Sequence, residues 1–175
     1  CMRSQTENSS KHSRVCLYGT YDTRNNANMN AKQRKSTLLY PKLSYTIQGC
    51  FFNIRKQYGP GQKEIVYHRL LEESFQKVGL KLEREKRINI YSQDTGKIVG
   101  TYQPDLVVED KILIEVKSSI APIKLDEKQL FYYLRNSEYE LGYLVNFSTP
   151  QLYIKRIIHS NTNKPYLVRV DSRSV

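Results

Sequence analysis

The chain has 175 residues, 39% of them apolar, and a formal net charge of +11 at pH 7. A chain of this size and apolar content can bury one core of ordinary size, so we expect one folded domain. No apolar run approaches the roughly 20 residues that a membrane span needs, and the start of the chain lacks the apolar core of a signal peptide. We therefore expect a cytoplasmic protein without a membrane partner.

Three cysteines and three histidines are scattered along the chain. The cysteines are odd in number and show no C-x-x-C or Cys/His spacing, which argues against a disulfide framework and against a zinc site. The positive charge predicts a polyanionic partner, because Lys and Arg that neutralise phosphates release counterions. Residues 1–42 contain eight Lys or Arg and two acids, so they carry +6 of the total and the remainder carries +5.

Residues 1–41 are predicted to be a disordered basic tail, because they are rich in Ser, Asn, Gln and Lys and show no sustained apolar period before Leu38. One interpretation of this tail is a tether for nucleic acid. The other is a segment without function, since a start at Cys1 suggests a fragment or an over-extended reading frame. We predict one domain over residues 42–160 and a C-terminal tail over residues 161–175.

Two helices are predicted at the start of the domain. Apolar residues spaced by three and four indicate a first helix that begins after Pro41 and ends near Tyr58, and the sequence Gly59-Pro60-Gly61 ends it. A second helix is predicted from about Gln62 to Val78. Its apolar stripe consists of Tyr67, Leu71, Phe75 and Val78.

Glu64 lies on the same stripe of the second helix, three residues before Tyr67. A carboxylate on the inward face of a helix needs a partner, because burying an unpaired charge is costly. That partner is either a Lys or Arg at the edge of the core or a metal ion. The helix pattern leaves both alternatives open.

After the second helix the apolar period changes to that of strands. Three strands, a helix and two further strands are predicted. Their ranges are Leu82 to Tyr91, Ile98 to Val108, Ile112 to Lys117, the helix Leu125 to Leu134, the buried strand Leu141 to Phe147 and the edge strand Leu152 to Ile158. This order predicts an α/β fold with a central mixed β-sheet flanked by helices.

The second and third predicted strands form a hairpin about Asp110. In such a hairpin Asp105 lies opposite Glu115, and Lys117 emerges on the same face as Glu115. Two carboxylates about 5 Å apart repel each other unless a cation lies between them, and Mg²⁺ is held by one or two carboxylates together with waters. Lys117 could then hold the attacking water or balance charge on a phosphate.

The same hairpin also fits a simpler interpretation, in which it is half-buried and its charged ends face solvent. By itself the hairpin does not separate the two. Further motifs elsewhere in the chain bear on the choice.

Four motifs occur in order along the chain. They are Gly61-Gln-Lys-Glu64-Ile-Val-Tyr67, Pro104-Asp105, Glu115-Val-Lys117 and Gln129-Leu-Phe-Tyr-Tyr133. Together they resemble the GxxExxY proteins of the PD-(D/E)XK nuclease superfamily, over roughly residues 43 to 158. The resemblance implies a restriction-endonuclease-like core.

By this resemblance Glu64, Asp105 and Glu115 are metal-binding catalytic carboxylates and Lys117 is the catalytic lysine. Gln129 and Tyr133 match the Q-x-x-x-Y motif of the RecB-like branch, where these residues line the substrate groove, although Tyr133 could instead be an aromatic residue at the edge of the core. We also assign Tyr67 to substrate binding.

The expected function is Mg²⁺-dependent hydrolysis of DNA in repair, recombination or mobile elements, with Mn²⁺ as a substitute metal. The alternatives are a ribonuclease and a binding or adaptor module without catalysis.

Overall fold

The computed structural model describes residues 38–120, 124–164 and 166–167. Within them the chain forms three α-helices: α1 (Pro41–Tyr58), α2 (Glu64–Lys77) and α3 (Lys124–Asn136). All three were predicted, and their ends lie within two residues of the predicted ends. None of the described helices is long and apolar enough to cross a membrane.

The strands of the described residues form two sheets. In chain order they are β1 (Leu82–Arg84), β2 (Ile88–Tyr91), β3 (Ile98–Tyr102), β4 (Leu106–Val108), β5 (Ile112–Lys117), β6 (Leu141–Asn146) and β7 (Tyr153–Ile158). The larger sheet has the order β1-β4-β5-β6-β7, and β2 and β3 pair separately. Only β5 and β6 run parallel among these described pairs, so the central sheet is mixed, as predicted.

Helices cover both faces of the larger sheet because its central strands alternate between two apolar surfaces. Ile114 and its neighbours on one face pack with α1 and α2, while Leu113 on the other face packs with α3 and with the β2–β3 pair. Every residue of β6 is buried, as expected for a strand covered on both sides, and β7 forms an edge of the sheet.

The predicted strand pattern between residues 82 and 108 was wrong in one respect. Each of the two long predicted strands is broken into two short ones, so that β1 and β4 pair in the larger sheet while β2 and β3 leave it. Glu85 has a left-handed backbone (φ 45°), which turns the chain out of the sheet after β1. The second break lies at Pro104, which has no N–H for a strand ladder.

Residues 1–37 of the predicted basic tail lie outside the described residues. Leu39 and Tyr40, at the end of that predicted tail, pack against the core. Beyond β7, the described part of the predicted C-terminal tail also packs: Lys164 is buried and donates to the carbonyl oxygens of Ser137 (2.9 Å) and Tyr139 (2.6 Å).

Candidate active site

The hairpin of β4 and β5 brings two carboxylates together. Its turn contains Glu109 (φ 55°) and Asp110 (φ 51°), both in the left-handed conformation that tight hairpins favour. Continuing the antiparallel register places Asp105 opposite Glu115, as predicted. The Val116 backbone N–H donates to Asp105 Oδ2 at 2.7 Å, which holds this carboxylate against the end of β5.

Glu115 is the more deeply buried of these carboxylates, with only 15% of its side chain exposed. Lys117 lies two residues further along β5 on the same face, and its Nζ is 3.6 Å from Glu115 Oε2. Burial raises the pKa of the Glu115 carboxyl to about 7, although the Lys117 ammonium opposes that rise. The site therefore contains a carboxyl group that titrates near neutral pH.

Lys117 lies among negative charges. Burial opposes its charged form, but the carboxylates of Glu115, Asp105, Glu64 and Asp126 outweigh burial and raise the pKa of the Lys117 ammonium above its usual value. Lys117 therefore remains a cation at neutral pH, which suits it to donate hydrogen bonds and balance negative charge.

Glu64 reaches this neighbourhood as the first residue of α2. A carboxylate is favoured at this end of a helix by the exposed backbone N–H groups and the helix dipole. The Ser118 hydroxyl, just after β5, donates to the Gln62 carbonyl oxygen and thereby ties the start of α2 to the end of the strand. Among the described residues no Lys or Arg forms an ion pair with Glu64, so the predicted salt-bridge alternative is not observed there.

Gln129 and Tyr133 lie one turn apart on α3, and the Gln129 side-chain amide donates to the Tyr133 hydroxyl at 2.6 Å. The Tyr133 ring stacks on Tyr102, with ring centroids 3.3 Å apart and planes inclined by 14°. The Tyr102 hydroxyl in turn donates to Glu115 Oε1. The two predicted groove residues are therefore linked to the carboxylate through Tyr102.

Two residues near these carboxylates were missed by the sequence analysis. Tyr102 contacts Glu115, and its only sequence signal is its position three residues before Asp105. His68 is buried, its Nε2 lies 3.8 Å from Asp105 Oδ2, and this nitrogen has no hydrogen-bond partner among the described residues. Its spacing of four from Glu64, on one face of α2, was the signal available for it.

Tyr67 does not lie where a substrate-binding residue is expected. Its side chain is fully buried, and its ring stacks on Phe147 with centroids 4.4 Å apart. Its hydroxyl donates to the Gly59 carbonyl oxygen at 2.8 Å and accepts from the Gln62 N–H at 3.2 Å. In this structure Tyr67 holds the connection between α1 and α2, because the inward helix stripe that carries it is part of the core.

The carboxylates of Asp105, Glu115 and Glu64 are the candidate ligands for a metal ion. Among the described residues no group of three His, Cys, Asp or Glu side chains is close enough to form a cage for a metal. The opposed carboxylates of Asp105 and Glu115 are nevertheless the hard oxygen ligands that Mg²⁺ prefers, and Mg²⁺ needs only one or two of them because it keeps several waters. The chemistry of the residues fits such an ion.

Comparison with known proteins gives a family match over most of the domain. A model of the PD-(D/E)XK nuclease superfamily matches residues 41–157. No curated protein matches the chain.

Two solved structures are similar to this chain. An alkaline exonuclease (LHK-Exo) from Laribacter hongkongensis is 15% identical with a TM-score of 0.40, over 62% of this chain and 65% of the exonuclease. The chain thus spans slightly less than two thirds of that protein. The protein SSO0001 is 13% identical with a TM-score of 0.41, over 75% of this chain and 85% of SSO0001. The match to the family model covers more than half of the residues of this chain, and the chain therefore belongs to the PD-(D/E)XK nuclease superfamily.

Proposed function

We propose that this protein hydrolyses phosphodiester bonds in DNA with the help of a divalent metal ion, Mg²⁺ or Mn²⁺. The observation that carries the proposal is the hairpin geometry: Asp105 lies opposite Glu115, and the Lys117 ammonium lies 3.6 Å from Glu115 Oε2. The net charge of +11 supports a polyanionic substrate, since each neutralised phosphate adds affinity by counterion release.

Each charged side chain has a role in this proposal. Asp105 and Glu115 would hold the metal ion, and Glu64 would act as the third carboxylate through one of the waters that the ion keeps. Such an ion would polarise a phosphate and lower the pKa of a water. Lys117 donates hydrogen bonds to the attacking water or to the phosphate, and balances the negative charge that develops there. Its raised pKa supports the role of a donor rather than of a base, because it keeps all its protons at neutral pH.

Within the superfamily we propose the GxxExxY group and the RecB-like Q-x-x-x-Y branch. Glu64 and Tyr67 have the required spacing at the start of α2, and Gln129 and Tyr133 lie on one face of α3. In this proposal Gln129, which is exposed, and Tyr133, which is partly buried, line the groove that receives the substrate.

The test is cleavage of single-stranded, nicked, branched and duplex DNA, and of RNA, in Mg²⁺ or Mn²⁺. Lys117→Met should reduce cleavage at least about tenfold, which corresponds to about 1.4 kcal/mol of transition-state stabilisation. Lys86→Met is the matched control, because Lys86 also pairs with carboxylates and is 28% exposed, against 27% for Lys117, but lies at the turn end of the hairpin. The proposal fails if no polymer is cut, or if both variants cut as fast as the parent; cleavage of RNA alone assigns a ribonuclease.

A binding module without catalysis is the second candidate. It is favoured by the absence of a three-ligand group among the described residues and by the engagement of both Glu115 oxygens, one by Tyr102 and one by Lys117. Calorimetry separates the two candidates. Mg²⁺ or Mn²⁺ binding that disappears in Glu115→Ala supports the enzyme, whereas salt-sensitive DNA binding that is indifferent to metal supports the module.

A further inference from the structure

The side chain of Tyr102 links the β2–β3 pair to the larger sheet, with which that pair shares no backbone ladder among the described strands. Tyr102 ends β3, which among the described strands pairs with β2. Four of the five β3 residues are exposed, whereas Tyr102 is 9% exposed. Its ring packs in the core cluster that includes Leu113 of β5 and Leu130 of α3. The tyrosine is therefore the point at which the β2–β3 pair enters the neighbourhood of the carboxylates.

The Glu115 carboxylate is held from two sides. Lys117 Nζ approaches Oε2, and the Tyr102 hydroxyl donates to Oε1. The terminal torsion of a glutamate is broad, so its donors decide which way the two oxygens point. Without the hydroxyl, Oε1 would lose the hydrogen bond that holds it, and the carboxylate would be free to rotate about its terminal torsion beside Lys117.

A further contact fixes Tyr102 itself. Its ring lies on the ring of Tyr133, and the Tyr133 hydroxyl accepts a hydrogen bond from Gln129. The contacts are continuous from the exposed surface of α3 to the buried carboxylate of β5. A change at Gln129 or Tyr133 can thus reach Glu115 without any contact between α3 and a substrate.

We propose that Tyr102 is a positioning residue, which orients the Glu115 carboxylate for metal binding, and that Tyr133 acts on the reaction through Tyr102. This inference rests on the proposed function and deepens it, because it assigns the β2–β3 pair a role in the site. Hydrogen-bond partners that orient a metal ligand typically change metal affinity or activity about 10- to 100-fold when they are removed.

Tyr102→Phe tests this role, because it keeps the ring and removes only the hydroxyl. Tyr139→Phe is the matched control: Tyr139 is 5% exposed and its hydroxyl donates to Asp110 Oδ1 at 2.6 Å, at the turn end of the same hairpin. The first measurement is the rise in melting temperature on titration with Mn²⁺, which needs no cleavage and reports the affinity for the metal. The second is kcat at saturating DNA.

We expect Tyr102→Phe to need at least about tenfold more Mn²⁺ for the same rise, and to lower kcat by a similar factor, while Tyr139→Phe matches the parent in both. Equal effects of the two variants, or no effect of Tyr102→Phe on either measurement, overturn the inference. If the parent cuts nothing but the Mn²⁺ titrations differ as expected, the proposed function fails and the positioning role stands. If the parent cuts DNA and Tyr102→Phe matches it in both measurements, the proposed function stands and the positioning role fails. If Mn²⁺ stabilises neither the parent nor Tyr102→Phe and the parent cuts nothing, both proposals fail.

A double-mutant cycle tests the part played by Tyr133. Tyr133→Leu removes the stacked ring, and it is measured with Tyr102 intact and in the Tyr102→Phe background. If Tyr133 acts through the hydroxyl of Tyr102, its loss lowers kcat several-fold in the parent and adds little in the second background. Effects that multiply instead show that Tyr133 acts only from its own position in the groove and not through Tyr102, which overturns this part of the inference.

Discussion

Replacing Glu115 with glutamine is expected to stabilise the metal-free protein while abolishing its activity. The carboxylate is buried beside Tyr102, and its burial is the main cause of its raised pKa. Glutamine has nearly the same shape, is neutral at every pH, and its amide oxygen can still accept the Tyr102 hydrogen bond. The substitution therefore removes the cost of burying a charge and keeps the packing.

The size and sign of this effect follow from the pKa. The Glu115 pKa rises from 4.5 to about 7 on folding, so the folded state holds its proton between these pH values after the unfolded state has lost it. Stability is full below the unfolded pKa and is lost as pH rises through the folded pKa, by about 3 kcal/mol at most. The attraction of Lys117 is already included in this net shift of the Glu115 pKa, so we expect a gain of about 3 kcal/mol above pH 8 and none near pH 4.

Thermal or urea unfolding in EDTA, at several pH values, measures the gain. A gain of about 3 kcal/mol corresponds to about 6–12 °C in melting temperature for a chain of this size. Glu73→Gln is the control, since Glu73 is an exposed carboxylate on α2 and its replacement should change stability by no more than about 0.5 kcal/mol at any pH. Mn²⁺ should then raise the melting temperature of the parent and leave that of Glu115→Gln unchanged.

The reasoning would be refuted by a Glu115→Gln variant that is less stable than the parent above pH 8. A gain of equal size at pH 4 would also contradict it, because the stabilisation would then have a source other than the charge. In either case burial of the ionised Glu115 carboxylate would not destabilise the folded protein, as its surroundings indicate that it does.

Two further predictions concern the packing that supports the site. Gly142→Ala should destabilise the protein by about 1 kcal/mol, because the new Cβ would lie 3.0 Å from a methyl carbon of the fully buried Leu130. Gly49→Ala should instead stabilise it by about 0.5–1 kcal/mol, because Gly49 lies in the middle of α1 and no atom is near its new Cβ. Urea unfolding measures both changes. A Gly142→Ala protein as stable as the parent would show that α3 yields easily. Tyr67→Phe should cost about 1–2 kcal/mol through its lost hydrogen bond to Gly59 and leave kcat unchanged; a fall in kcat at unchanged stability would restore Tyr67 to the substrate site.

Local periodicity was sufficient to determine much of this protein. The three helices follow from apolar spacings of three and four, and the burial of β6 follows from its continuous apolar run. The hairpin register is also local, because the chain between Asp105 and Glu115 is too short for another pairing once it turns at Asp110. For that reason the opposed carboxylates, and Lys117 beside them, could be predicted from the sequence.

Contacts between distant segments were decided only by the tertiary structure. The strand pattern of residues 82–108 shows alternation, but it does not show that β2 and β3 leave the sheet, since the break depends on the backbone at Glu85 and on which strand pairs with β4. Tyr102, His68 and Tyr67 all carry ordinary polar or aromatic side chains in the sequence. Their positions, against Glu115, against Asp105 and inside the core, arise because burial and hydrogen bonding depend on the partner that folding brings near, which neighbouring residues do not encode.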